Sequence, residues 1–305
     1  MRKYTQIQIQ DFMERISNHY HRMDYNDLKI TCNEYFQSLP FPIVDFNNKK
    51  FFFDQREFGG SNVIYRARHI TNKNNTPHET LSELSFIPKD KLDKIKEFGR
   101  VNKPHEAMFY GSLNHSTACA EAVTKGNKFQ NTDSTMLTVG IWEFEKPLKL
   151  VQIPHSEKHF KKFYEEVGFK SEKIQLEHIK ESNEELRKKI GNDFNFEKLM
   201  FFADHFAKWD IKHSYEYKLS NYFADRVLGR IPEFPIDEET DGIIYPSVAL
   251  SYQEKNIVLK PNVVENKLKF IGAMQILFVK TNEGAQFIPI QQKIKVDSEG
   301  KFLWQ

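Results

Sequence analysis

Residues 99–121 read GRVNKPHEAMFYGSLNHSTACAE, and this stretch carries the clearest local pattern of the chain. A polar loop comes first, and the run 108–110 then has the apolar and aromatic composition of a strand. Asn114 or Ser116 is a suitable cap for the small-residue helix that follows and that contains Glu121. A strand followed closely by a helix indicates a fold that mixes both kinds of element.

Strand-like runs also lie on both sides of a later helical block. Residues 62–68 follow a glycine pair and are short and apolar, and residues 136–144 alternate and are rich in strand-forming residues. Residues 155–229 lack proline and show helical periodicity in pieces, which predicts two or three helices. Strands return from Gly242 onward, and the runs 268–271 and 275–279 predict two separate strands among them. Together these patterns predict an α+β fold in which distant segments complete one sheet system.

The same patterns divide the chain into three parts. Periodic apolar residues predict a helical N-terminal extension over residues 1–48. We expect the core domain over residues 49–262, with a helical insertion at about 155–235. Residues 263–305 are then a C-terminal β segment that completes the core.

Composition argues against several classes of protein. The net charge is +2 and the cationic residues nowhere form a long run, so a dedicated nucleic-acid binder is not indicated. No run of about 18 apolar residues predicts a membrane span. Two cysteines do not form a disulfide framework, and the first residues lack the apolar core of a secretory signal. We therefore expect a cytoplasmic protein that contacts neither membrane nor nucleic acid.

Motifs that often mark a cofactor or metal site are weak here. Gly59 and Gly60 lack the spacing of a phosphate-binding loop and predict a tight turn before a strand. His155 and His159 are one helical turn apart, but no third ligand is near, which favours a solvated helix face and no metal. Cys119 lies among alanines and is expected to be a small buried side chain.

Three residues in separate segments have side chains that suit one chemical task. Arg66 lies within an apolar strand, where a guanidinium is costly to bury without an anion. Glu121 closes a helix face of small residues, and Ser247 follows a Tyr-Pro corner at a strand end. From the residues alone, three structural interpretations stay open: an ion pair between Arg66 and Glu121, a solvated Glu121, and a simple turn serine.

The segments around these residues resemble the RES domain family, which is named for its Arg, Glu and Ser. An aromatic residue precedes the arginine at residues 65–66. Residues 99–121 contain a Gly-Arg-x-Asn-x-Pro loop, a Phe-Tyr strand and a Thr-Ala-x-Ala-Glu helix. Residues 242–247 read Gly-Ile-x-Tyr-Pro-Ser, and an Asn-x-Val-Leu strand follows at 256–259.

The resemblance covers roughly residues 60–125 and 240–262. The sequence departs from the family pattern in a larger helical insertion at residues 155–235 and at two single positions. Val101 stands where an aromatic residue is usual, and Ala249 stands where an arginine is frequent. The resemblance implies an ADP-ribosyltransferase-like split β core that is flanked by helices, with an NAD cleft between its halves.

The resemblance also implies which residues contact NAD. Arg66 would hold the phosphates, since a guanidinium matches phosphate oxygens bidentately. Arg100 would assist at the same face, and Asn102 would belong to the same binding surface. Tyr110 and Tyr65 would stack on the nicotinamide ring.

The catalytic roles follow from the bond that such an enzyme breaks. Loss of nicotinamide leaves positive charge on the ribose, in a transition state like that of glycoside hydrolysis. Glu121 would stabilise that charge as it develops. Ser247 would hydrogen-bond the ribose or orient Glu121.

Members of the family degrade NAD, often as toxins held in check by a cognate antitoxin. The resemblance therefore predicts an NAD-degrading enzyme, a glycohydrolase or phosphorylase, with NAD as substrate and an antitoxin as a partner. A mono-ADP-ribosyltransferase that modifies a macromolecule is an alternative, and a non-catalytic nucleotide-binding module is a second. Water, phosphate and a target side chain all stay open as the acceptor, as does the oligomeric state.

Overall fold

Helices surround one large, mixed β sheet in the computed structural model of this chain. This confirms the predicted α+β class. The structure describes residues 3–47, 51–53, 56–58, 62–70, 78–124, 134–167, 172–236, 238–249, 254–281, 284–293 and 301–302.

Within those ranges the large sheet has nine strands. They are β1 Ile43–Phe46, β4 Val63–His69, β5 Phe109–Ser112, β6 Ser134–Phe144, β7 Leu148–Gln152, β8 Gly242–Pro246, β9 Lys255–Leu259, β10 Leu268–Thr281 and β11 Gly284–Lys293. Two short strands, β2 Phe51–Phe53 and β3 Arg56–Phe58, pair with each other in a separate sheet. The order across the large sheet is β1-β7-β8-β9-β5-β4-β6-β10-β11. Strands β7 and β8 are parallel, and the other neighbours are antiparallel.

The sheet is weakly joined between β5 and β4. These strands share one pair of register partners, Tyr65 opposite Ser112. Each pairs far more extensively with its other neighbour: β4 pairs with β6 along its whole length, and β5 does so with β9. The sheet therefore divides into a half of five strands and a half of four, with a gap opening between them beyond Tyr65.

The described α-helices lie before, between and after these strands. They are α1 Gln6–His19, α2 Tyr25–Tyr35, α3 Leu81–Leu84, α4 His115–Thr124, α5 Glu157–Val167, α6 Glu172–Ile190, α7 Asp193–Phe206, α8 Lys218–Val227 and α9 Pro261–Lys267. Helix α1 begins with a capping box, in which Thr5 and Gln8 satisfy each other's backbone amides.

The five-strand half of the sheet is covered on both faces. On one face, side chains of the N-terminal helices, α7 and α8 form a common core with Val258 of β9 and Ile243 of β8. On the other face, Phe109 of β5 packs with Trp142 and Ile257. Helix α4 covers the four-strand half, where Cys119 is fully buried as expected. The N-terminal extension is thus part of the same core as the helices between β7 and β8.

Two expectations about element boundaries are wrong. Four α-helices, α5 to α8, lie between β7 and β8, where two or three were predicted. Gly191, with a φ of 67°, directly follows α6 and separates it from α7. The runs at 268–271 and 275–279 are one strand, β10, because an irregularity between Phe270 and Gly272 lets the strand bend without ending.

The predicted solvated helix face at His155 and His159 is also wrong. His155 precedes α5, and the two residues are only 1 % and 8 % exposed. His155 Nε2 lies 2.5 Å from Lys255 Nζ, and its backbone amide donates to Asn183 Oδ1. His155 is covered by its contacts with Lys255 of β9 and Asn183 of α6, and α5, which carries His159, packs on α6. Periodicity alone does not reveal these contacts. The predicted turn at Gly59 and Gly60 lies outside the described residues.

Candidate functional site

Helix α4 carries Glu121 across the junction of the two half-sheets. The helix begins after Asn114, whose Oδ1 accepts from the Thr117 backbone amide at 2.7 Å, as expected for a cap. Small residues at Ala118 and Ala120 let the helix approach the sheet closely. Glu121 therefore points from a rigid element toward the ends of β8 and β9.

The Glu121 carboxylate is held by residues that are distant in the sequence. Its Oε1 accepts from Ser247 Oγ at 2.7 Å and from Asn256 Nδ2 at 2.6 Å. The backbone amide of Ala249 lies 3.5 Å from the same oxygen. Ser247 is fully buried, so its hydroxyl is committed to this carboxylate.

Asn256 is in turn held by Ser112. The Ser112 hydroxyl donates to Asn256 Oδ1 at 2.7 Å, and both side chains are buried. These residues are register partners on β5 and β9, so they project from the same face of the sheet. The Glu121 site thus rests on three strand segments and one helix.

Arg66 lies on β4 beside the gap that opens toward β5. Its Nη1 donates to the Tyr110 carbonyl at 2.6 Å, and the guanidinium lies 5.2 Å from the centre of the Phe109 ring. Its Nε is buried without a hydrogen-bond partner among the described residues. Desolvation holds the pKa of Arg66 well below its ordinary value, and the positive charge of Arg68 lowers it further. Tyr110 acts in the opposite direction.

The expected alternative of an ion pair between Arg66 and Glu121 does not occur. Within the described ranges, no carboxylate lies at salt-bridge distance from Arg66. Arg68, two residues along β4, donates to the Ser85 carbonyl at 3.1 Å. Two guanidinium groups therefore lie close together with only backbone acceptors identified for them.

Tyr110 and Asn102 organise the loop that precedes β5. The Tyr110 hydroxyl donates to Asn102 Oδ1 at 2.8 Å and accepts from the Val101 amide at 3.0 Å. A Cβ at Gly99 would lie 2.4 Å from Asn102 Oδ1, so any other residue there would displace the Asn102 side chain. Burial raises the pKa of the Tyr110 hydroxyl, which therefore serves as a fixed neutral group.

Arg100 joins this loop to the inserted helices. Its guanidinium donates to the carbonyls of Phe206 and Lys208, the latter at 2.7 Å, and lies 5.3 Å from the Tyr217 ring centre. The pKa of buried Tyr245 is raised chiefly by desolvation and then by the Glu121 charge, and Arg100 opposes it. Arg100 and Glu121 therefore act electrostatically on the same tyrosine.

Tyr65 projects from the same face of the sheet as Ser112, its register partner. Its ring meets the His115 imidazole edge to face at 5.9 Å and packs against α4. The two candidate stacking residues, Tyr65 and Tyr110, thus lie on the face that also carries Asn256, since Tyr110 precedes Ser112 by two positions on β5.

The structure brings some of the predicted residues together and leaves others apart. Glu121 and Ser247 are in direct contact. Arg66 contacts neither of them. Its side chain alternates with that of Tyr65 along β4, so it leaves the sheet on the face opposite Ser112 and Asn256, where it lies against Phe109 and reaches the Tyr110 carbonyl. Sequence reasoning assigned no role to Asn256, Ser112 or Arg68. A polar residue at the start of an apolar strand was the available signal for Asn256, whereas Ser112 carried none.

Two features of the described residues bear on cofactors and location. None of their helices has the length and apolar character needed to cross a bilayer. Their His, Cys, Asp and Glu side chains nowhere form a group of three or more that would suit a metal ion.

Comparison with protein families identifies the family of this chain. No curated protein is significantly similar to the chain. Residues 64–269 match the family model described as RES domain, a span that contains Arg66, Glu121 and Ser247. Proteins with this domain have an ADP-ribosyltransferase-like fold, are generally enzymes that use NAD, and have a toxin-like character. Because the match covers about two-thirds of the 305 residues, the chain belongs to the RES domain family.

Proposed function

We propose that this chain cleaves the nicotinamide–ribose bond of NAD, as a glycohydrolase or phosphorylase. The observation that carries the proposal is the 2.7 Å hydrogen bond between Ser247 and Glu121, which joins two of the three family residues across 126 positions of the chain. A carboxylate held in this way by neutral donors suits the stabilisation of a cationic sugar.

The chemistry assigned to Glu121 follows from the charge of the transition state. As nicotinamide leaves, positive charge develops on the ribose ring. A carboxylate that is oriented before the reaction stabilises this charge without further reorganisation, by an amount of roughly 3–4 kcal/mol per group. In this proposal Ser247 orients Glu121, since its buried hydroxyl already donates to the carboxylate.

We assign Arg66 to the phosphates of NAD. Burial of a guanidinium is costly unless an anion compensates it, and the described residues supply only the Tyr110 carbonyl and the Phe109 ring. A pyrophosphate in the gap between β4 and β5 would provide the missing acceptors, because phosphate oxygens match the guanidinium fork.

The remaining predicted contacts stay part of the proposal. In this proposal Tyr110 and Tyr65 flank the nicotinamide, and their common face with Asn256 supports the assignment. Asn102 shapes the Tyr110 side of the site. Arg100 contributes positive electrostatic potential and not bidentate hydrogen bonds to NAD, since its guanidinium already donates to the Phe206 and Lys208 carbonyls.

The biological setting that we propose is that of a toxin. Loss of NAD is harmful to a cell, so a cognate antitoxin protein is the expected partner, and the cytoplasm, where NAD is abundant, is the expected place of action. The acceptor of the ADP-ribosyl group is water or phosphate in this proposal.

The test is incubation of the purified chain with NAD in buffers with and without phosphate, with chromatography of the products. We expect release of nicotinamide together with ADP-ribose or its phosphorylated form. Label from adenine-labelled NAD on a macromolecule in a lysate, with no free ADP-ribose, would instead identify a transferase. Unchanged NAD under all conditions would overturn the proposal.

A further inference from the structure

The two oxygens of the Glu121 carboxylate have different surroundings. Every hydrogen bond that the described residues make to this side chain ends on Oε1: from Ser247 Oγ, from Asn256 Nδ2 and from the Ala249 amide. Oε2 accepts none from the described residues. The described residues therefore hold the carboxylate by one oxygen, and none of them donates to the other.

The Asn256 amide can serve this purpose in only one orientation. Its NH₂ group attracts an ionised carboxylate, whereas its carbonyl oxygen would repel it. The Glu121 carboxylate, which can only accept, requires the NH₂ group to face it, and the Ser112 hydroxyl supports this orientation by donating to Oδ1 at 2.7 Å. Because Asn256 and Ser112 are 3 % and 1 % exposed, water does not compete for these bonds.

The donors that hold Glu121 are also neutral. Within the described residues, no Lys or Arg forms an ion pair with it. A cationic partner would orient the carboxylate equally well but would cancel much of its field at the ligand. Hydroxyl and amide donors fix the geometry and keep the negative charge, which is what stabilisation of a cationic sugar requires.

We infer that Asn256, oriented by Ser112, is a positioning residue that holds Glu121 through Oε1 so that Oε2 faces the ribose of the dinucleotide. This inference rests on the proposed NAD-cleaving function. It concerns a residue that contacts the carboxylate and not the substrate, so its removal affects the chemical step more than binding.

Asn256→Leu tests this prediction with a side chain of similar size that lacks both polar groups. We expect kcat for nicotinamide release to fall about 10- to 100-fold, the usual loss when a group that orients a functional ligand is removed. KM should change by less than about threefold. A wild-type kcat would overturn the positioning role.

Asn256→Asp is the sharper variant because it makes the effect depend on pH. When the introduced carboxyl group is protonated, it donates to Glu121 Oε1 as the amide does. When both groups are ionised they repel each other, and the carboxylate is displaced. The ratio of variant to wild-type kcat should therefore fall as pH rises from about 5 to 8, and a ratio that is constant across this range would contradict the inference.

Asn183→Asp is the matched control. Asn183 is equally buried, and its amide bonds only to the backbone of His155 on the helical side of the fold. This variant introduces the same buried carboxyl group away from Glu121, so its kcat ratio should not fall with pH. An equal fall in both variants would show that a general loss of structure, rather than repulsion at Glu121, is responsible.

The free energy of unfolding tests the contact between residue 256 and Glu121 without relying on enzymatic activity. Urea unfolding of Asn256→Asp should show a stability deficit that grows with pH, because the folded pair retains a proton that the unfolded chain releases. Adding Glu121→Gln should reduce this growth, leaving only the part that burial of the new carboxyl group causes. A deficit that is the same at low and high pH would overturn the positioning role alone, and failure of the wild-type chain to release nicotinamide would overturn the proposed function alone.

Discussion

The Glu121 carboxylate and the Arg66 guanidinium are both charged groups in largely buried surroundings, yet the described residues compensate them to different degrees. Glu121 receives two short hydrogen bonds, from Ser247 and Asn256, and both of these donors are buried. Arg66 donates to one backbone carbonyl, that of Tyr110, and its Nε has no partner among the described residues.

The difference indicates which half of the site the described residues complete by themselves. In our proposal the carboxylate is oriented before a ligand arrives, so its contribution belongs to the chemical step. In the same proposal an external anion completes the surroundings of the guanidinium, so its contribution belongs to binding. Changes at the two residues should therefore separate into effects on kcat and effects on KM.

The largest effect is expected for Glu121→Gln. The change keeps the shape but removes the negative charge, so kcat for nicotinamide release should fall about 100- to 1000-fold or more. Circular dichroism should show an unchanged fold. Glu145→Gln is the control, because Glu145 is exposed beyond the end of β6; equal activity of the two variants would remove Glu121 from the mechanism.

Arg66→Ala should act mainly on binding. Hydrogen bonds to charged groups contribute about 1.5–3 kcal/mol, which corresponds to a rise in KM of roughly 10- to 150-fold, with a smaller change in kcat. Arg66→Lys keeps the positive charge but loses the bidentate hydrogen bonding of the guanidinium. Its KM should therefore lie between those of the wild type and Arg66→Ala. Steady-state kinetics check this order, and a wild-type KM for Arg66→Ala would contradict the assignment of the phosphates.

Ser247→Ala should have a smaller effect on the chemical step. It removes one donor from Glu121 Oε1 but leaves the Asn256 donor in place, so we expect kcat to fall by about tenfold, toward the lower end for a bond to a charged group. Ser220→Ala is the control, since Ser220 is equally buried and bonds only to the Tyr217 carbonyl. Similar losses in the two variants would indicate a structural effect.

The smallest effect, and the one of opposite sign, concerns the stability of the apo chain. Replacing an uncompensated buried charge by an apolar group of similar size is often stabilising, so Arg66→Met should raise the free energy of unfolding by about 1 kcal/mol while it weakens NAD binding. Urea unfolding without NAD measures the stability of the apo chain, and the additional stability when NAD is present measures its binding. A clear loss of stability would mean that Arg66 is already satisfied by the protein.

Local pattern predicted much of the scaffold of this site. Strand β5, helix α4 and the cap at Asn114 follow from short stretches of sequence, since propensity and capping act over a few residues. The sequence does not decide whether Ser247 bonds to Glu121, because the family resemblance implies two roles for the serine, contact with the ribose or orientation of the carboxylate. The structure selects a contact that spacing alone does not define.

The contacts that the local sequence patterns did not predict depend on the packing of distant segments. Asn256 meets Glu121 across 135 positions, and Ser112 meets Asn256 across 144, so neither contact leaves a local signature. The burial of His155 and His159 likewise follows from how α5 packs on its neighbours. Arg100 lies in the loop motif that resembles the family. Its guanidinium, however, bonds to the carbonyls of Phe206 and Lys208, which lie outside the shared motifs, so the motif does not predict this contact.

The most direct test of the central claim is a crystal structure of the Glu121→Gln variant with NAD, because this change should slow cleavage while the binding surface is kept. We predict that the pyrophosphate accepts from the Arg66 guanidinium at the gap between β4 and β5, and that the nicotinamide ribose contacts the side chain at position 121. A dinucleotide bound elsewhere, or one whose ribose lies away from position 121, would contradict it.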